Sequence, residues 1–71
     1  MSTPLRVVAV VRAPLGRVER ATRDLAPDVR SHLVETPAGV LLTLERDGGW
    51  RRRTVLRELE AALREVTDEL G

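Results

Sequence analysis

Hydrophobic and polar residues follow one another along the chain in patterns that predict five elements. The segment from Leu5 to Arg12, LRVVAVVR, is short and rich in valine, which favours a β-strand. Val8 and Val10 lie on one face of this strand, and the residues of the other face are apolar as well. A strand that is apolar on both faces either lies in the middle of a sheet or pairs with another subunit.

The following segment, APLGRVERATRDLAP, predicts a helix that begins at Pro14 and ends before Pro27. Proline suits the first helical position because its missing N–H has no partner there, whereas Gly16 in the first turn weakens the helix. Apolar residues recur at helical spacing along one face, namely Leu15, Val18, Ala21 or Thr22, and Leu25.

Residues 28–46, DVRSHLVETPAGVLLTLER, predict a β-hairpin that turns at Thr36-Pro37-Ala38-Gly39. This turn sets the pairing of the two strands, and each pair is a separate expectation: Arg30 with Glu45, Ser31 with Leu44, His32 with Thr43, Leu33 with Leu42, Val34 with Leu41, and Glu35 with Val40. One face of the hairpin is then suited to packing on helices through Leu33, Val40, Leu42 and Leu44. The opposite face carries the Arg30 to Glu45 ion pair beside Val34 and Leu41.

The last element is a helix from about Trp50 or Thr54 to Leu70. Its apolar residues recur at alternating spacings of three and four, as Leu56, Leu59, Leu63, Val66 and Leu70. About two and a half heptads are fewer than a coiled coil needs, so one amphipathic helix lying on a sheet is the favoured interpretation.

The order β-α-β-β-α predicts a single small α+β domain over residues 1–71. A right-handed crossover followed by a hairpin gives a two-layer arrangement in which both helices cover one face of a three-stranded sheet. One compact form is a ferredoxin-like domain that lacks its last strand. The first strand then lies at an open edge, and the uncovered face presents Val8, Val10, Val34 and Leu41, which we predict to form an interface with a second subunit.

Composition strengthens the expectation of a homodimer or a larger homo-oligomer. The chain has 71 residues with no Cys, no Phe or Tyr and one Trp, so its core is thin and no disulfide can stabilise it. Its cations are all arginine, which is typical of a gene from a GC-rich bacterial genome. The net charge is only +1, which argues against a polybasic protein that coats nucleic acid.

Targeting features are not visible in the sequence. No stretch approaches the roughly 20 apolar residues that a membrane-spanning helix requires, and the start, MSTPLR, does not resemble a secretory signal. We therefore expect a cytoplasmic protein without a membrane partner.

Catalytic and metal sites are not predicted. Nucleophilic catalysis needs an activated Ser, Thr, Cys or Lys beside a base, yet Cys and Lys are absent and His32 is the only imidazole. Ser31 points to the opposite face of the predicted strand, so a Ser-His pair is not expected. One His with scattered carboxylates lacks the spacing of a metal motif. We therefore expect a protein that is not an enzyme and that carries no cofactor.

The segment GGWRRR is the candidate site for an anion, formed by Gly48, Gly49, Trp50, Arg51, Arg52 and Arg53. A helix start presents backbone N–H groups to an anion, the arginines add positive charge, and the tryptophan can stack on a base. Against this, the spacing matches no phosphate-binding loop, and three consecutive helical residues point in different directions. The simpler interpretation makes Trp50 a cap on the core and Asp47 or Thr54 the N-cap of the helix.

The order of elements resembles that of ACT-type regulatory domains, which bind small ligands. The segment RAPLGRV after the first strand is similar to the Pro-Gly turn of that family, although here Gly16 does not directly follow Pro14 and the final strand is missing. This resemblance is one of fold and implies a regulatory role at most.

Three functions are compatible with these features. The leading hypothesis is a small, non-enzymatic, homo-oligomeric interaction or regulatory subunit that pairs through its first strand and outer sheet face. The second hypothesis is a module that binds nucleic acid or a phosphate ligand through GGWRRR. In the third, the protein is an accessory subunit that docks on a larger enzyme through its C-terminal helix.

Overall fold

A computed structural model describes residues 4–71, so the first three residues of the MSTPLR segment lie outside the described residues. The chain forms β1 (Pro4–Val11), α1 (Leu15–Arg23), β2 (Arg30–Thr36), β3 (Gly39–Asp47) and α2 (Arg52–Leu70). The predicted fold class is confirmed: the protein is an α+β sandwich with an antiparallel three-stranded sheet and both helices on one face.

The strand order is β1-β3-β2, so β3 lies in the middle and β1 forms an open edge, as the ferredoxin-like arrangement requires. Every pair predicted for the hairpin is present, from Arg30 with Glu45 to Glu35 with Val40. β1 pairs along its whole length with β3, from Pro4 opposite Asp47 to Val11 opposite Val40. The two parallel edge strands are thus held together only through β3.

The core lies between the sheet and the helices and is built from aliphatic side chains. Val40, Leu42 and Leu44 alternate along β3 and are almost fully buried, because they occupy the middle strand on the helix-facing side. The helices contribute Val18 and Ala21 of α1 and Val55, Leu59 and Val66 of α2, and Val11 of β1 completes the buried set. Trp50 is not among these residues.

Two local predictions about the helices are corrected. Pro14 is the N-cap and not the first helical residue, since its backbone is extended at φ −60° and ψ 144°; its carbonyl accepts the first hydrogen bonds of α1. On α2 the buried stripe begins at Val55, whereas Leu56 is 37% exposed. Leu59 and Val66 of the predicted seam are buried, but in the first turns of α2 Val55 takes the core position that the heptad spacing assigned to Leu56.

The hairpin turn depends on Gly39. Its φ of 137° is unfavourable for any residue with a Cβ. A Cβ there would also lie 2.7 Å from the carbonyl oxygen of Val11, the last residue of β1. The Thr36 hydroxyl donates a hydrogen bond to the Gly39 carbonyl at 2.6 Å and closes the turn.

Gly39→Ala is therefore expected to lower the free energy of unfolding by about 1–3 kcal/mol, through backbone strain and the contact with Val11. Gly16→Ala is the matched control, because Gly16 lies in a helix and its added Cβ meets no atom within 4 Å. That control is expected to be neutral or to stabilise by up to about 1 kcal/mol. Urea unfolding at one fixed protein concentration measures both changes, and equal stabilities of the two variants would contradict the assignment.

Candidate interaction surface

The outer face of the sheet, on the side away from the helices, carries three rows of side chains with one member from each strand. The register gives the rows from the hairpin end as Val10, Leu41 and Val34; then Val8, Thr43 and His32; then Arg6, Glu45 and Arg30. Because antiparallel neighbours lie about 5 Å apart, the members of each row are in contact range. The sheet therefore has one apolar row, a mixed row in which Val8 lies beside Thr43 and His32, and one charged row.

The apolar residues of the outer face are open to solvent in this chain. Val8, Val10 and Val34 are 56%, 53% and 54% exposed, and Leu41 lies half-buried between the last two. Neither helix lies on this side of the sheet. All four residues predicted to form an interface thus lie on one continuous surface, and they face solvent because the chain supplies only two layers.

Glu45 organises the charged row. The Arg6 Nε donates to Glu45 Oε2 at 2.5 Å, and Arg30 Nη2 lies 2.9 Å from Glu45 Oε1. The glutamate side chain is only 11% exposed, while both arginines are largely exposed. The hydrogen bond from Arg6, supported by the positive charges of Arg6 and Arg30, holds the pKa of Glu45 below its ordinary value of 4.5 although burial opposes this.

Sequence reasoning found only half of this cluster. The Arg30 to Glu45 pair followed from the hairpin register and is confirmed. The Arg6 to Glu45 pair depends on the alignment of β1 with β3, two strands that are far apart in sequence, and no local pattern indicates it. One carboxylate thus connects all three strands, and this holds their register at the end of the sheet away from the hairpin.

A second ion cluster lies on the helix side of the sheet and was also missed. Arg46 forms salt bridges with Asp28, at 2.8 Å, and with Glu58 of α2. It joins the turn before β2 to the first half of α2 beside a shallow groove of about 360 Å³ between α2 and the end of α1. Its role is to fasten α2 onto the sheet, since one partner lies on α2 and the other in the turn that leads into β2.

The GGWRRR segment is divided by the structure. Gly48 is buried against Leu5, where a Cβ would lie 2.8 Å from the leucine Cδ1. Trp50 is 93% exposed, so the expectation that it caps the core is wrong. The side chains of residues 50–54 line an open surface depression of about 420 Å³, and the arginines among them are exposed.

The expected N-cap of α2 is also wrong. Arg51 occupies the N-cap position and makes no side-chain capping hydrogen bond. Asp47 instead accepts a hydrogen bond from the Gly49 N–H at 3.1 Å and stabilises the turn before the helix. The first turn of α2 contains no acidic residue, so none of its own side chains complements the positive end of the helix dipole.

Residues 4–71 do not form a metal site or a Ser-His pair. This part of the chain contains no group of three or more His, Cys, Asp or Glu side chains that could hold a metal ion. His32 is exposed in the middle row of the outer face, and Ser31 belongs to the opposite face. Within the same residues, no helix is both long enough and apolar enough to cross a membrane.

Comparisons with known proteins identify no relative. The chain matches no protein-family model, no curated protein and no solved structure. Its function must therefore be argued from its own surfaces.

The Glu45 cluster predicts a pH dependence. Because the pKa of Glu45 is lower in the folded state than in the unfolded chain, its contribution to stability is complete well above pH 4.5 and is lost as the pH falls through the folded-state pKa. Glu45→Gln is therefore expected to destabilise the fold near neutral pH and to cost progressively less below pH 4.5.

Urea unfolding of both proteins between pH 3 and pH 7 measures the difference. Glu19→Gln, which changes an exposed carboxylate on α1, is the matched control and is expected to track the wild type. A penalty for Glu45→Gln that is constant over this pH range would show that the ion pairs do not act as described.

Proposed function

We propose that the protein is a small, non-enzymatic interaction or regulatory subunit that assembles with further copies of itself through β1 and the outer sheet face. The single observation that carries this proposal is the exposed apolar surface formed by Val8, Val10 and Val34 around Leu41. A sheet that works as a monomer with one face in water normally places polar residues there. Here the row nearest the hairpin is entirely apolar, and Val8 extends the apolar surface into the next row.

The size of the chain supports the same proposal. Its core consists of small aliphatic side chains and includes no aromatic residue. A thin core supplies little stability, and burying a second apolar surface against a partner adds to it without lengthening the chain. Covering the outer face therefore stabilises the fold and removes a surface prone to aggregation.

The arrangement of the rows favours a second copy as the partner. A two-fold axis across the strands, between the Val8 row and the Val10 row, brings Val8, Val10, Val34 and Leu41 of two copies onto each other. The same axis sends the two charged rows to opposite ends, where each lies over the hairpin end of the other copy and Arg12 is the nearest charge. The apolar part of the surface thus matches itself, as an isologous dimer requires.

Introducing a carboxylate into the exposed apolar surface of the outer face tests the proposal. Val8→Glu, Val10→Glu and Val34→Glu are each expected to give monomers or insoluble protein, because an unpaired charge is costly to bury in an interface. Sedimentation velocity and native mass spectrometry measure the state of assembly. Val34→Glu is the most informative change, since β2 lies on the far side of the sheet from the open edge of β1.

Ala38→Glu is the matched control, because it adds the same charge at an exposed turn position outside the rows. It is expected to keep the wild-type mass. A wild-type chain that stays monomeric at the highest soluble concentration, or valine variants that all keep the wild-type mass and solubility, would refute the proposal.

Binding of nucleic acid or a phosphate ligand by the GGWRRR segment is the second candidate function. The observation that favours it is the exposure of Trp50 beside Arg51, Arg52 and Arg53. A bulky aromatic side chain in solvent contributes nothing to the core, whereas it can stack on a base. The helix that follows begins without a capping side chain or an acidic residue.

The only tryptophan makes this second candidate simple to test. Adding a single-stranded oligonucleotide at low salt is expected to quench Trp50 fluorescence, and raising the salt concentration is expected to reverse the quenching. Arg52→Ala with Arg53→Ala is expected to weaken binding, while Arg57→Ala, an exposed arginine elsewhere on α2, is the control. Fluorescence that does not change at low salt would eliminate this candidate.

Docking on a larger enzyme through α2 stays an untested third proposal. Much of the leucine seam that motivated it is occupied by the chain's own core, since Leu59 and Val66 are buried there. Only the flank that includes Leu56 is left for a partner, which narrows the surface that such docking can use.

A further inference from the structure

We propose that the open edge of β1 pairs with β1 of a second copy, so that two sheets join into one of six strands and the two α2 helices pack across the same two-fold axis. This inference rests on the proposed homo-oligomeric function and specifies how the edge is used. It adds an interface in the helix layer, which the outer sheet face does not include.

The open edge and the helix above it have matching lengths. β1 has eight residues, and α2 has 19, so the edge extends about 26 Å and the helix about 28 Å. The edge strand contains no bulge and no residue of positive φ that would block pairing. A partner strand can therefore pair along most of the edge while its own helix lies beside α2.

α2 has a partly apolar flank on the side of the open edge. Glu58, Ala61 and Glu65 line the groove toward the end of α1. At 100° per residue, Leu56 and Leu63 lie on roughly the opposite side of the helix. Because α2 packs on β1 and β3 with α1 on its other side, this flank overhangs the edge of β1.

The spacing of the layers also suits a second copy. α2 packs on both β1 and β3, and neighbouring strands lie about 4.8 Å apart. If α2 lies midway between these strands and β1 pairs with its copy, the two α2 axes are roughly 10 Å apart, which is a normal distance for packed helices. Strand pairing and helix packing are thus satisfied by the same axis.

Charge and proline narrow the register of the two β1 strands. The helices of both copies lie on one side of the joined sheet, so residues opposite each other must point to the same face of the sheet. This requires that one residue of β1 lies opposite the same residue of the second copy, and the two-fold axis is named by that residue. An axis at Ala9 places Arg6 opposite Arg12 of the second copy, and these like charges repel. An axis at Val7 brings Pro4, which has no N–H, into the ladder.

An axis at Val8 avoids both the repulsion between arginines and the proline in the ladder. The positions of the leucines on α2 independently place the two-fold axis close to the same point. Gly48 contacts Leu5 and Arg52, so α2 starts above Leu5. Val8 lies about 10 Å along β1 from Leu5. A distance of about 10 Å along α2, measured from its start at Arg52, ends near Leu59. The midpoint of Leu56 and Leu63 also falls there, so these leucines face each other across the axis.

Charges beside the leucines are complementary. Glu60, Leu63, Arg64 and Thr67 together line a surface depression on this part of α2. With the axis near residue 59, Glu60 of each copy lies within about a turn and a half of Arg64 of the other, a distance that an arginine side chain can reach. Two symmetric ion pairs then border the leucine contact.

The decisive variants change α2 without altering the outer face. Leu56→Glu is expected to raise the dissociation constant of the assembly by about tenfold or more, because it places a carboxylate in the leucine contact. Ala61→Glu adds the same charge at an exposed position on the opposite side of α2, and as the control it is expected to leave assembly unchanged. Circular dichroism of each variant confirms that α2 still forms.

Disulfide trapping tests the strand register in a chain that has no cysteine of its own. Val8→Cys is expected to form a disulfide-linked dimer under mild oxidation, because the axis places residue 8 opposite itself. Val10→Cys is the matched control: it lies on the same face, but residue 10 of the two copies is separated by about 13 Å along the strands. Sedimentation velocity of the cross-linked protein gives the size of the complete assembly.

The results separate this inference from the proposed function. A wild-type monomer would overturn both. A wild-type oligomer that Val34→Glu disrupts and Leu56→Glu leaves intact would overturn the edge pairing alone. Purification with a stoichiometric foreign chain on this edge would also overturn it, since the place of the second copy would then be taken. Loss of assembly in Leu56→Glu, together with trapping at position 8 and not at position 10, supports it.

Discussion

The central position of β3 is the constraint on which the rest of the structure depends. β1 and β2 are parallel and are not neighbours, so each is hydrogen-bonded in the sheet only to β3. The same strand supplies Val40, Leu42 and Leu44 to the core from its helix-facing side. From its outer side it supplies Glu45, which binds one arginine from each neighbour. The strand thus fixes both the backbone register and the two chemically different faces.

A sheet of three strands with two helices leaves surfaces that the chain cannot cover. The helices cover one face, so the other face exposes the valines at the end near the hairpin. The place of a fourth strand beside β1 is empty among residues 4–71. Both features have one physical origin, which is too few elements for the apolar surface that the strands carry. Assembly with further copies resolves them together, and we therefore regard it as the best account of the protein.

Charge on the outer face is separated from the apolar surface that we propose for assembly. The charged row lies at one end, where Glu45 is between two arginines, and the other two rows carry valine and leucine together with Thr43 and His32. The arginines at the start of α2 lie at another surface, beside an exposed tryptophan. Ligand binding there and pairing through the sheet are therefore compatible in one molecule.

The sequence by itself determined the elements, the fold class and the hairpin. The valine run, the helical spacing from Leu15 and the Pro37 to Gly39 turn are local signals, and a turn of known length fixes strand pairing because side chains alternate with a period of two. The position of Val8, Val10, Val34 and Leu41 on one uncovered face follows from that register and the order of elements. These predictions needed no information about distant contacts.

Only the tertiary structure decided the features that depend on residues far apart in the chain. The Arg6 to Glu45 pair requires the alignment of β1 with β3, and the two salt bridges of Arg46 require the positions of Asp28 and α2. The exposure of Trp50 was predicted incorrectly because Trp50 lies in the turn before α2, where no periodic pattern shows whether a side chain reaches the core. The burial of Leu56 was predicted incorrectly because periodicity identifies an apolar side of a helix but not the few tens of degrees by which that side is rotated relative to the sheet. Such rotations are set by the packing of whole elements, and a local sequence pattern does not encode them.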